Sequence, residues 1–82
     1  MRIFIGNVAF AMTEDEISRL FEAYGVVRHV RLITDRATGH SRGFAFVDMP
    51  NDIEAQAAID GLNGISRGGR TLIVNEARPW EE

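Results

Sequence analysis

The stretch Arg42-Gly43-Phe44-Ala45-Phe46-Val47-Asp48-Met49, stopped by Pro50, decides how the rest of the chain is read. Its aromatic and β-branched content predicts a strand over 43–49. Successive side chains of a strand point to opposite faces, so Gly43, Ala45, Val47 and Met49 share one face. Arg42, Phe44, Phe46 and Asp48 share the other. The first set, small and aliphatic, suits packing beneath helices. The second places two aromatic rings beside a guanidinium on a face with no evident cover.

Working outward, Asn51 or Asp52 caps a helix that carries Ala55, Ala58, Ile59 and Leu62 inward and ends at Asn63-Gly64. Before the strand, Thr34 to Ser41 is a polar loop containing Gly39, and Val26 to Ile33 is β-rich and predicted as the second strand. Nearer the start, Thr13-Glu14-Asp15-Glu16 is a capping box, in which the threonine hydroxyl takes an orphan N–H and Glu16 reaches back to the cap. Ile17, Leu20, Phe21 and Tyr24 follow at helical spacing, with Gly25 as the C′ residue. Residues 2–8 are predicted as the first strand and 71–77 as the last, reached through a glycine-containing turn over 66–70. The order is β-α-β-β-α-β, an α+β, ferredoxin-like sandwich in which two helices cover one face of a four-stranded antiparallel sheet. Right-handed crossovers put the first and third strands side by side in the centre. Residues 1–78 are expected to form one domain and 79–82 a C-terminal tail.

The composition narrows the chemistry. With 82 residues, the chain supports one small core, and with no cysteine it has neither disulfides nor thiolate sites. Two histidines without ligand spacing, His29 and His40, leave no metal site and no catalytic triad in view. Phosphate loops, dinucleotide fingerprints and zinc-protease motifs are absent, so no cofactor and no catalysis are expected. No apolar run approaches the roughly 20 residues of a membrane span. The apolar start is interrupted at Asn7, and cleavage after Ala11 would remove a core strand, so a cytoplasmic protein is expected rather than a secreted one. The formal charge of −3 argues, taken alone, against nucleic acid. All nine basic residues are arginine, however, and they are unevenly placed. The helices hold Glu14, Asp15, Glu16, Glu22, Asp52, Glu54 and Asp60 against Arg19, whereas residues 26–44 hold Arg28, Arg31, Arg36 and Arg42 against Asp35. The sheet side is therefore locally basic, with Arg2 and Arg78 as possible additions.

In the first strand Ile3 and Ile5 share the helix side, which turns Phe4 outward beside Phe44 and Phe46. Three flat rings next to arginine make a stacking platform for unpaired bases. On the second strand His29, Arg31 and Ile33 alternate with core candidates Val30 and Leu32; on the last, Ile73 and Asn75 alternate with Leu72 and Val74. Asn75 offers a donor and an acceptor to a base edge.

Ile3-Phe4-Ile5-Gly6-Asn7-Val8 resembles the hexapeptide of the RNA recognition motif family, and residues 42–49 resemble its octapeptide. The likeness spans residues 2–78, and the short form with its Val74-Asn75-Glu76-Ala77-Arg78-Pro79 ending looks like the small bacterial members. It implies a single-stranded RNA-binding module, with single-stranded DNA an open alternative and a monomer as the default, acting in post-transcriptional regulation or as an RNA chaperone. It further implies that Phe4 and Phe46 stack bases, that Phe44 packs against sugars, and that Arg42 meets a phosphate. Positions just after the last strand, Ala77 and Arg78, read bases in such proteins, and the loop bearing Arg36 and His40 clamps nucleic acid. Met49 departs from the family's aromatic, but by parity it faces the helices. Trp80 has no assigned role. The expected RNA-binding set is thus Phe4, Phe44, Phe46, Arg42, Arg31, His29, Asn75 and Arg78. A protein-interaction module on the same fold is the competing reading; relatives of that kind have degraded sheet aromatics and an Arg-x-Phe near the last strand. Here the rings are intact and the corresponding stretch is Arg67-Gly68-Gly69.

Overall fold

The computed structural model describes residues 1–34, 37–39 and 41–77, with the backbone alone at Ser41 and Arg42. Its elements run β1 (Arg2–Gly6), α1 (Glu14–Glu22), β2 (His29–Thr34), β3 (Ser41–Asp48), α2 (Asp52–Leu62), β4 (Ser66–Arg67), β5 (Arg70–Thr71) and β6 (Ile73–Glu76). Strands β2, β3, β1 and β6 form one sheet in that order, with every neighbouring pair antiparallel. The fold is the expected α+β, ferredoxin-like arrangement with β1 and β3 central.

The helices start where their caps dictate. Glu16 N–H donates to Thr13 Oγ1 at 3.2 Å, and Glu54 N–H donates to Asn51 Oδ1 at 3.0 Å. Each bond satisfies one of the orphan donors of a first turn. The return half of the predicted capping box differs: the Thr13 hydroxyl donates to Glu16 Oε1 at 3.5 Å. Helix α1 also ends earlier than its Gly25 suggested, with Ala23 as a right-handed C-cap. Gly25 serves a close approach instead, because a Cβ there would collide with the Glu54 side chain, whose Oε1 accepts from Val26 N–H at 3.2 Å.

Three strands are shorter than predicted, the second running over His29–Thr34 rather than from Val26. The first stops at Gly6 because Asn7 turns the chain at φ 58. The last is split, since Leu72 pairs away from the sheet: its N–H donates to Ile65 O at 2.8 Å and its carbonyl accepts from Gly64 N–H at 2.9 Å. Residues 66–71 ahead of it form a small hairpin around Gly68 and Gly69, both at positive φ. The two-residue loop with left-handed glycines matches the right-handed twist of its strands.

Both helices lie on one face, and the aliphatic strand set packs under them. Ile3, Ile5, Ala45, Val47, Met49, Leu72 and Val74 are buried with Ile17 and Phe21 of α1 and with Ala55, Ala58, Ile59 and Leu62 of α2. The sheet's outer edges are each touched by a helix-end side chain. Glu14 Oε2 accepts from Leu32 N–H of β2 at 2.8 Å, and Asn63 Oδ1 accepts from Val74 N–H of β6 at 3.0 Å.

Phe21 is 1% exposed. Phe21→Ala is expected to cost about 3–5 kcal/mol in urea denaturation, by lost burial plus a cavity. That is a large share of the roughly 5–15 kcal/mol of a typical domain. A loss below about 1 kcal/mol would place the core elsewhere.

Candidate nucleic-acid interface

The strand register assembles the uncovered face in rows. Arg31 of β2 is opposite Phe46, Phe46 is opposite Phe4, and Phe4 is opposite Asn75. That row crosses all four strands with a guanidinium at one end and an amide at the other. Above it, His29 is opposite Asp48 and Asp48 is opposite Arg2. Below it, Phe44 is opposite Gly6 and Gly6 is opposite Ile73.

The three rings form one cluster. Centroids are 6.1 Å apart for Phe4 and Phe44, 5.9 Å for Phe4 and Phe46, and 6.2 Å for Phe44 and Phe46. Phe4 and Phe44 are tilted by 33°, while Phe46 stands edge-on to both. All three are half-buried, with no layer of the described residues over them. A groove of about 530 Å³ runs along the β2–β3 side of the cluster, lined by Arg2, His29, Arg31, Ile33, Phe44 and Phe46 among others. The Arg2 guanidinium lies 5.8 Å from the Phe46 centroid, within cation–π range.

The face is basic by pairing as well as by count. Asp48 lies on it, but its Oδ2 accepts from Arg28 Nε at 3.0 Å, and its Oδ1 lies 4.0 Å from the amino terminus. The carboxylate is therefore matched locally, and among the described residues Arg31 has no acidic partner. Asp15, Glu16, Glu22, Asp52 and Asp60 are exposed on the helices, which carries the acidic surplus away from the rings.

Of the expected site residues, Phe4, Phe44, Phe46, His29, Arg31 and Asn75 are gathered on this face. Arg42 belongs to β3, with its side chain outside the described residues. Arg36, His40, Arg78 and Trp80 also lie outside them. Ala77 is half-buried, its N–H donating to Arg2 O at 2.8 Å. Sequence reasoning missed Phe10, which is 69% exposed in the β1–α1 loop, where no strand alternation exists to assign it a side.

Two glycines shape the platform. At the base of β3, Gly43 adopts φ 85 where the β2–β3 register shifts between Leu32 and Thr34. This is a bulge built on a left-handed glycine. Gly6 makes room for a ring: a Cβ there would stand 3.0 Å from Phe4 Cε2 and 3.2 Å from Cζ.

The RNA recognition motif family profile matches residues 3–73. RbpF of Nostoc sp., named as an RNA-binding protein, is 50% identical over 82 residues, all of this chain and 78% of RbpF. A crystal structure titled for an RNA binding protein, PG1, superposes with a TM-score of 0.94 at 43% identity, covering 100% of this chain and 99% of that one. A solved Sxl-lethal protein/RNA complex gives a TM-score of 0.91 at 37% identity, over 99% of this chain and 48% of that one.

Gly6→Ala is expected to tilt the Phe4 ring while leaving the core intact. Proton NMR should show shifted Phe4 ring signals beside unchanged Phe21 signals. Phe4 signals identical to wild type would mean that the ring does not rest on Gly6.

Proposed function

This chain belongs to the RNA recognition motif family, and from that premise we propose that it binds single-stranded RNA on the uncovered sheet face. One observation carries the reading: three phenylalanines within about 6 Å of each other, on adjacent central strands, with no described residue layered over them. Exposed apolar area of that kind costs solubility and marks a contact surface. Flat rings suit bases because every base offers a π-face.

The ring roles are carried over from the family's two motifs: Phe4 and Phe46 each stack a base, and Phe44 packs against the sugars between them. Arg31 and Asn75, at the two ends of the Phe46–Phe4 row, contact phosphate and base edge respectively. His29 and Arg2 border the same groove and add donors there. Arg42 and Arg78 complete the set as a phosphate contact and a base-reading position. The module is a binding protein and not an enzyme, as its family is. Post-transcriptional regulation or chaperoning of transcripts is the cellular role that fits a small base-stacking module acting as a monomer in the cytoplasm.

With few phosphate contacts, affinity rests mainly on stacking. A dissociation constant on the order of micromolar is expected once ordering costs are subtracted. The salt slope should be shallow, roughly −0.7 per contact. Titration of wild type with a single-stranded RNA pool at several salt concentrations checks both.

Phe46→Ala is expected to weaken RNA binding by about 1–3 kcal/mol while the melting temperature changes little. The variant carrying alanine at positions 4, 44 and 46 should lose measurable binding. If it bound a random RNA pool as wild type does, the platform would not be the binding surface.

A further inference from the structure

Phe10 and the β4–β5 hairpin form a second feature that the sheet platform does not use. The Arg70 Cζ lies 5.5 Å from the Phe10 centroid, so ring and guanidinium make an exposed cation–π pair. The pair is held in place. Arg70 Nη1 donates to Asn7 Oδ1 at 3.1 Å, and Asn7 Nδ2 donates to Thr71 O at 2.8 Å. Beneath it, Ala9 packs so close to Gly68 that a Cβ at 68 would stand 2.7 Å from the Ala9 Cβ.

The charge arrangement is unusual for a hairpin. Arg67 and Arg70 are direct cross-strand partners. Like charges directly opposite one another destabilise a strand pair. Among the described residues neither has an acidic partner: Arg67 donates only to its neighbour's carbonyl, Ser66 O, at 3.1 Å. Arg70 is met only by the Phe10 ring and Asn7 Oδ1, so among the described residues no acidic group offsets the pair, and a bound anion would. Glu14 and Asp15 line the groove beside Phe10 toward Thr34, and Glu14 is committed to Leu32 N–H. An anion therefore approaches from the hairpin side.

The ridge also adjoins the platform. Asn7 directly follows Gly6, which shares a row with Phe44 and with Ile73, the latter 47% exposed. We infer that the ridge takes the next nucleotide of the same single strand, its base stacked on the Phe10–Arg70 pair and its flanking phosphates held by Arg67 and Arg70. Guanidinium planes and aromatic rings are both stacking surfaces for bases, so the pair presents a composite one. The inference rests on the RNA-binding reading and extends the site beyond the sheet.

The test compares random-sequence RNA pools of tetranucleotides and octanucleotides against wild type, Phe10→Ala and Arg67→Gln. A tetranucleotide occupies the sheet, whereas an octanucleotide also reaches the ridge. Phe10→Ala should weaken octanucleotide binding by about fivefold or more, the low end of one lost stack. It should leave tetranucleotide binding unchanged, which also verifies its fold. Arg67→Gln should lower the octanucleotide salt slope by roughly 0.7, one phosphate contact. Octanucleotide binding equal to wild type in both variants would overturn the ridge site, as would equal losses at both lengths. If wild type bound neither pool, the RNA-binding reading itself would fall, an outcome distinct from failure of the ridge.

Discussion

A sheet of this kind has two faces, and its two helices cover one. The two helices bury the aliphatic set Ile3, Ile5, Ala45, Val47 and Val74, and strand alternation then leaves the other parity no choice of side. Phe4, Phe44 and Phe46 are outward because their neighbours are inward. A one-residue slip of β1 or β3 would bury the rings and expose the isoleucines, so the packing that stabilises the domain also maintains the register of the platform. Stability and site geometry are here consequences of the same burial.

The electrostatics follow that division. The −3 total belongs mostly to solvated helices. On the sheet side the one described carboxylate of the open face, Asp48, is matched by Arg28 and the amino terminus, and Arg31 lines the groove beside the rings. Net charge is a poor guide to partner class when a domain separates its signs by face. An all-arginine basic set strengthens the point, because a planar guanidinium both stacks and donates, which an ammonium does not.

Most of the fold was legible in the sequence because its signals are local and periodic. Alternation over residues 44–49 assigned both faces of β3, and Thr13 and the Asn51-Asp52 pair marked both helix starts. The misses come from contacts distant in sequence. Gly25 looked like a helix terminator, but it is held open for a glutamate 29 residues away, Glu54. Leu72 interrupts the last strand because its backbone pairs with Gly64 and Ile65. Phe10 lacked any periodic neighbour to orient it. The cross-strand rows of the site, such as Arg31–Phe46–Phe4–Asn75, required register, which composition and spacing do not contain.

The two side-chain bonds at the sheet margins, Glu14 to Leu32 N–H and Asn63 to Val74 N–H, have a consequence for crowding. Copies of this chain gathered on one RNA would bring their sheets to high local concentration. Exposed strand margins under such conditions invite neighbouring sheets to fuse into a continuous ribbon, the first step toward fibres. With a donor on each margin already claimed by its own helix, crowded copies have less reason to join edge to edge.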